Sequence, residues 1–438
     1  MNGRRNQQKT CALLLATALV ATLTACGGDA TVGGQAPTYT GTPGSGEEVS
    51  PTVPPTTEPA QVVTGQVPAD AAAQMAHLSE PMFPLAKAGA DQAVNPAYSP
   101  LSVYLALGLT ASGASGQSAQ EFAALLGGDP DKVNQLAAGV MTEYVTTGDG
   151  PTLAVANSLW LDLIFTVNPD FEQVAKAVFR AEATSLDLQA EGKDRINAWV
   201  EQMTNGLIEQ IIQQVPVDAV AYLVNALYFK GTWATPFVSE LTKDQSFTLA
   251  DGSTVQVPTM MASGLDADYF KNEAGEGIIL PYEGGRFGMV LVMPNDGVDQ
   301  ITWDGTQVVG WLGEAKPHAG IELYLPKWES ELTADLTEPL QSLGLVAPFS
   351  GSDDFAGLGT TADNEPIYIS EVAHKAVVKV DEYGTEAAAV TSVGMVREAA
   401  PTEPIMVHFN QPFAFALVDL TTGLPLFLGQ VDNPLDKP

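Results

Sequence analysis

Apolar positions along this chain follow two periods, and each predicts its own kind of element. Phe171, Val174, Ala175 and Val178 recur at helical spacing behind Asn168-Pro169-Asp170, a helix-start signal. Ile196, Trp199, Val200 and Met203 form a second helical stripe. Runs that read as strands are 222–229 (YLVNALYF), 287–293 (FGMVLVM), 321–325 (IELYL) and 376–380 (AVVKV). Near the end, 413–418 (FAFALV) and 424–430 (LPLFLGQ) bracket Thr421-Thr422-Gly423 and predict a hairpin. Early helices followed by many strands predict an α+β domain with large, mostly antiparallel or mixed sheets.

The first 68 residues follow neither pattern. Arg4, Arg5 and Lys9 make a basic start, and Cys11 to Leu23 is an apolar run too short and small-sided for a comfortable membrane span. An export signal at 1–25 is the reading that fits. It ends in Leu23-Thr24-Ala25-Cys26 followed by Gly27-Gly28, which resembles a lipobox and makes Cys26 the expected site of lipidation. An ordinary signal with a chance cysteine is the alternative. Residues 26–68 are rich in Gly, Pro, Thr, Ser and Glu, so they read as a flexible tether. The globular domain is expected over 69–438, exported and either held at the outer face of the cell membrane through Cys26 or secreted.

Composition narrows the chemistry. Nineteen basic and 52 acidic side chains give a formal charge of −33, and losing the signal makes it about three units more negative. Such a surface repels nucleic acid and anionic lipid, so neither is an expected partner, and it argues against a basic cofactor site. Both cysteines, Cys11 and Cys26, lie in the signal region, which leaves the domain without a disulfide or a thiol nucleophile. His77, His318, His374 and His408 are not spaced as metal ligands, and there is no HExxH, GxSxG or phosphate-binding loop. Nothing local points to an enzyme, a metal or a cofactor.

Residues 381–400, DEYGTEAAAVTSVGMVREAA, stand out. Small residues dominate from Gly384 to Gly394, and the next proline is Pro401. The segment reads either as a flexible surface loop or as a strand in waiting. Extended, it would put Thr385, Ala387, Ala389, Thr391, Val393 and Met395 on one face and Glu386, Ala388, Val390, Ser392 and Gly394 on the other. Every residue in it could donate a backbone N–H to a sheet.

Ordered motifs resemble one family. Glu371 to Ala376 followed by Glu382-Tyr383-Gly384-Thr385-Glu386-Ala387-Ala388-Ala389 resembles the strand and hinge that lead into the reactive-centre loop of serpins. Asn95 to Ser102 looks like that family's opening buried helix. Gly113 to Ser118 looks like its following turn, with Ser118 where threonine is usual. Ile196 to Val200 with Thr204-Asn205-Gly206, and Asn225 to Gly231 with Trp233 and Phe237, continue the match, although Leu207 replaces a usual lysine. Leu325-Pro326-Lys327, Asp354-Phe355 and Phe427-Leu428-Gly429 through Asn433-Pro434 complete it over about 360 residues.

The resemblance implies a serpin fold of three sheets and about nine helices, with an exposed reactive-centre loop at about 382–408. It implies a monomer that acts as an irreversible suicide-substrate inhibitor of serine proteases: the cleaved loop enters the central sheet as a strand and traps the acyl-enzyme. A non-inhibitory serpin that binds or carries a ligand is the alternative. Glu382, Gly384, Thr385, Glu386, Ala387, Ala388 and Ala389 match the hinge. Ser99, Ser102, Asn225 and His374 match a polar cluster beneath the sheet, although a lone buried histidine is also an ordinary core residue. Trp233 matches the point where the loop enters the sheet, and Lys327 matches the partner of Glu382 in a hinge ion pair that at an exposed site would contribute little. Counting fourteen residues from Gly384 puts the cleaved bond at Glu398-Ala399, with Arg397-Glu398 and Ala399-Ala400 as alternatives. An elastase-like or glutamate-preferring protease is the expected target.

Overall fold

The computed structural model describes residues 61–437 apart from 146–149, 205, 207, 216–218, 220, 352, 362, 364–365, 370 and 386–403. The chain divides into Met1–Glu58 and a compact unit, Pro59–Pro438. That unit opens ten residues before the expected domain start at Ala69. Residues 61–68, expected as the end of the tether, lie against the domain instead. The Val63 amide donates to the Ala177 carbonyl at 2.9 Å, and the Gly65 amide donates to Thr142 Oγ1 at 3.2 Å. Gly139 makes this possible, because a Cβ there would stand 2.6 Å from Gln66. Val67 packs on the core, and backbone hydrogen bonds dock the rest of a segment that is otherwise largely exposed.

Nine α-helical segments occur among the described residues: α1 (Ala71–Met75), α2 (Ser79–Ala88), α3 (Pro100–Ala111), α4 (Gly116–Leu125), α5 (Pro130–Glu143), α6 (Pro169–Ala177), α7 (Lys193–Met203), α8 (Gln307–Glu314) and α9 (Thr337–Ser342). Their starts follow local chemistry. Ser99, Asp129 and Asn168 cap α3, α5 and α6 through side-chain oxygens that accept N-terminal amides, and each is followed by proline at the first turn. The helical stripes read from 171–178 and 196–203 correspond to α6 and α7.

Three sheets form, as expected of the fold, although the third is only a ribbon of β4 (Phe165–Val167) and β13 (Gly359–Thr361). The first sheet has seven strands. They are β1 (Ala90–Val94), β3 (Thr152–Asp162), β5 (Glu182–Leu186), β6 (Ala221–Thr232), β12 (Trp328–Asp335), β14 (Ala373–Val380) and β15 (Gly384–Thr385). Their order across the sheet is β1-β12-β14-β15-β6-β3-β5. The second sheet joins β2 (Ala97–Tyr98), β7 (Lys243–Thr248), β8 (Thr254–Lys271), β9 (Gly275–Pro281) and β10 (Phe287–Pro294) with four later strands. These are β11 (Lys316–Pro326), β16 (Met406–His408), β17 (Phe413–Asp419) and β18 (Pro425–Val431). Strand β17 runs into β18 as the expected terminal hairpin, and Gly423 takes φ +71° in its turn. Every residue of β10, β17 and β18 is buried, so these runs are continuous rather than alternating.

Helix α3 lies between the two large sheets, in contact with β6 and β18. All of its residues but Ala106 are buried, which its uniformly apolar sequence requires. Asn95 fixes the entry to it, in a left-handed backbone conformation with φ +48°. Its Nδ2 donates to the carbonyls of Glu329 and Asn433, and its Oδ1 accepts from the amides of Asp432 and Asn433, all at 2.9–3.0 Å. One side chain therefore ties the start of the domain to its last residues. Asn95→Ala leaves four partly buried partners without this side chain and is expected to cost about 2–4 kcal/mol, read as a lower midpoint in urea unfolding.

Candidate functional site

The sequence β14, turn, β15 builds the site. After Val380 the chain turns at Asp381. Its Oδ1 accepts the Tyr383 amide at 2.8 Å and the Gly384 amide at 3.3 Å, and its own amide donates to the Gly384 carbonyl. This closure returns the backbone antiparallel to β14. Gly384 and Thr385 then enter the sheet: Thr385 faces Val380 of β14 on one side and Gly231 of β6 on the other. Gly384 is obligatory, because a Cβ would lie 1.9 Å from the Gly231 carbonyl oxygen and φ is +153°. The two-residue strand thus stands between β14 and β6 at their C-terminal ends.

Its side chains are received by a prepared surface. Thr385 is buried, and its hydroxyl lies 2.6 Å from Tyr282 Oη. The Tyr282 ring stacks on Trp233 with centroids 4.5 Å apart. Trp233 in turn donates from Nε1 to the Asp381 carbonyl at 3.0 Å and from its backbone to Tyr383. Trp233 therefore sits at the point where the hinge meets the sheet. Burial drives the Tyr282 hydroxyl far above its ordinary pKa, so it stays protonated and neutral.

Glu382 pairs with Lys327 from a more sheltered position than an open surface site. Its side chain is only 8% exposed, with Oε2 2.8 Å from Lys327 Nζ, and its Oε1 accepts from Thr242 Oγ1 at 2.7 Å. Burial pushes the carboxyl up. The hydrogen bonds from Lys327 and Thr242 outweigh that, and its pKa lies below the usual range. The Glu382 carbonyl also takes the Phe237 amide. The anchor of the hinge is thus a half-sheltered ion pair.

A second group lies far down β14. Ser99, Ser102 and His374 are all buried together. Ser99 Oγ donates to the Leu426 carbonyl at 2.8 Å and accepts the Ser102 amide, while the Ser99 amide donates to His374 Nε2 at 3.3 Å. His374 accepts at Nε2 and is therefore neutral with its proton on Nδ1. Burial depresses its pKa to about 3. Its ring stands edge-on to Tyr98, with centroids 5.2 Å apart. Asn225 sits on β6 opposite Asn157 of β3 in the ladder, and its side chain is outside the described residues. Beside His374 is a cavity of about 70 Å³ lined by Ser102, Leu107, Tyr222, Phe355 and Glu371. It marks the opposite end of β14 and β6 from β15.

The described site residues form two groups. Glu382, Gly384, Thr385, Trp233 and Lys327 gather at the hinge, and Ser99, Ser102 and His374 gather below. Glu386, Ala387, Ala388, Ala389, Arg397, Glu398, Ala399 and Cys26 lie outside the described residues. Sequence reasoning missed Tyr282, Thr242 and Asp381, and named Gly231 only as the end of a strand motif. An Asp two residues before Tyr-Gly is a turn signal that could have flagged Asp381. Tyr282 and Thr242 are brought in by distant strands and carry no local signal. Among the described residues, no group of three His, Asp or Glu is placed to hold a metal ion.

Comparison with known proteins follows this geometry. The family model Serpin (serine protease inhibitor) matches residues 80–434. Serpin-Z2B of Triticum aestivum is 34% identical over 361 residues, covering 78% of this chain and 90% of that protein. The native-state crystal structure of tengpin, a thermophilic serpin, superposes with a TM-score of 0.76 at 29% identity, covering 85% of this chain and 96% of that one. Human thyroxine-binding globulin complexed with thyroxine has the same fold at 24% identity and a TM-score of 0.74, covering 84% of this chain and all of that one.

The His374 environment makes a pH prediction. Its folded pKa, about 3, lies below an unfolded value near 6.5, so the neutral ring's contribution is complete above pH 6.5 and is lost as pH falls toward 3. From pH 7 to pH 5 the wild-type chain is expected to lose about 2 kcal/mol more stability than His374→Gln, measured by urea unfolding. Equal losses would show that His374 is not held neutral.

Proposed function

The chain belongs to the serpin family, and from that premise we propose that it is an irreversible suicide-substrate inhibitor of serine proteases. The observation that carries the reading is β15. The first two residues of the loop already stand as a strand between β14 and β6, in register with both. Continuing that antiparallel register past Thr385 would set Thr391 opposite His374 and residue 395 opposite Ala221, the first residue of β6. The two strands therefore offer a slot for about twelve residues from Gly384, roughly 40 Å of chain.

The small, proline-free residues 384–394 suit that slot. In the proposed reaction the protease serine hydroxyl attacks the carbonyl of the bait residue. An ester forms, the peptide C–N bond breaks, and the new amino terminus leaves with the downstream segment. The upstream half, esterified to the enzyme, then zips between β14 and β6 and carries the protease toward the far end of the sheet. Deformation of the enzyme there would stop water from completing hydrolysis. The native state is accordingly held by a barrier rather than by equilibrium stability. The expected bait bond is Glu398-Ala399, with Arg397-Glu398 and Ala399-Ala400 as alternatives, and the expected target is elastase-like or glutamate-preferring. Export and lipidation at Cys26 belong to the same reading and rest on the sequence around that residue.

The thyroxine complex of thyroxine-binding globulin keeps a second reading open, a member of the fold that carries a ligand. Mixing the protein with elastase-like, glutamyl and trypsin-like proteases separates the two. The inhibitor reading expects a band of summed mass on denaturing gels, with a released fragment starting at Ala399. Cleavage within 390–400 without an adduct from any protease would contradict it. Thr385→Arg places a charge on the buried hydroxyl site beside Tyr282, so the chain is expected to turn from inhibitor to substrate. At least tenfold more inhibitor would then be consumed per enzyme trapped.

A further inference from the structure

We propose that the cavity beside His374 is a binding site for a small aliphatic primary ammonium, with its alkyl end inside and its charged end on Glu371. The site does not depend on the inhibitory reading. The cavity lies where three elements meet: α3, Tyr222 at the start of β6, and Ala373 with His374 at the start of β14. Helix α3 is buried at every residue except Ala106, and Ala106 lines this cavity. The one gap in the packing of that helix therefore opens onto it. Leu107, Phe355, Leu358 and Ile369 supply apolar wall, and Glu371 with Tyr222 supplies a polar end. Small-molecule sites have this composition, a concave apolar surface with a few convergent polar groups.

Size and charge decide the occupant. At about 70 Å³ the cavity has roughly half the volume, about 150 Å³, that takes a benzene ring, so a short branched alkyl group fits and a ring does not. Glu371 is half-buried, and its Oε2 accepts from Tyr222 Oη at 3.5 Å. Burial above all, and the charge of Asp335, push the Glu371 carboxyl above its usual range, and the bond from Tyr222 offsets them only in part. Asp335 lies across the β12–β14 ladder from Ala373. Among the described residues no cation relieves these two carboxylates. His374 is neutral, and Lys375 and Lys379 of β14 reach Glu331 and Glu329 of β12 instead. A carboxylate at the end of an apolar cavity, beside a second carboxylate, favours a ligand that brings its own positive charge. The formal charge of −33 draws the same class of ion from solution. A neutral alcohol of the same shape would leave Glu371 unrelieved, and an anion would add repulsion.

The test titrates isobutylammonium chloride into the full chain by calorimetry, with isobutanol and ammonium chloride as the two halves of the probe. One site with a dissociation constant of about 1 mM is expected, and each half should bind at least about tenfold more weakly. Glu371→Gln keeps the cavity and removes the charge, so affinity should fall about tenfold or more. Ala106→Leu fills the cavity from α3 and should abolish binding. With probe at about ten times its dissociation constant, the thermal midpoint of the wild type should rise by about 2 °C and that of Glu371→Gln should not move. Isobutanol binding as tightly as the ammonium, or Glu371→Gln binding as tightly as the wild type, would overturn the proposal. Binding that survives in a folded Ala106→Leu chain would put the ammonium on another of the 52 acidic side chains and overturn the site. Should Ala106→Leu fail to fold, Glu371→Gln and the two half-probes decide alone. No heat of binding at about 50 mM probe would overturn the site outright.

Discussion

The approach of Gly384 to Gly231 is the contact on which the rest of the site depends. A Cβ at 384 would sit 1.9 Å from a backbone oxygen, so only glycine lets the chain slip between β14 and β6 at this point. Once it has, Thr385 reaches Tyr282, Tyr282 is braced by Trp233, and Trp233 is tied back to the Asp381 turn. These contacts form a closed circuit around two inserted residues. Glu382, paired with Lys327 and Thr242, anchors the circuit from the other side of the turn.

The lower half of the same strands is built differently. His374 is neutral and fully enclosed, and it is held by a backbone amide from the cap of α3 rather than by a charge. Ser99 uses its hydroxyl to cap α3 and to bind β18, so one residue joins the helix between the sheets to both of them. Neutral hydrogen bonds of this kind each contribute modestly, about 1 kcal/mol, and break and re-form without stranding a charge. That suits strands expected to part. At one end of β14 and β6 the two-residue strand β15 lies between them, and at the other end the contacts around His374 are individually weak.

Much of the fold was legible in the chain. The runs at 222–229, 287–293 and 376–380 lie inside β6, β10 and β14, and the terminal hairpin falls where its turn residues place it. Those elements are long and strongly apolar, so periodicity alone finds them. Residues 61–68 lie against the domain chiefly through backbone amides and a glycine on α5, with Val67 the one side chain of the segment packed on the core, so little hydrophobic trace marks them in the sequence. The shelter of Glu382 is not legible in the sequence either: its charge is visible there, but not Thr242, which arrives from 140 residues away. Tyr282 was missed because its role exists only once β15 lies beside it. Pairings between distant strands are set by topology, and no local pattern encodes them.

Hydrogen exchange before and after a single cut in the loop tests the central claim most directly. Amides of 386–394 exchange quickly unless they join a ladder, and amides of β14 and β6 facing the slot are protected only if a strand lies between them. The account predicts that cleavage within 390–400 slows exchange at 386–394, β14 and β6 together by several orders of magnitude. Unchanged exchange at all three after a verified cut would contradict insertion, and with it the inhibitory mechanism.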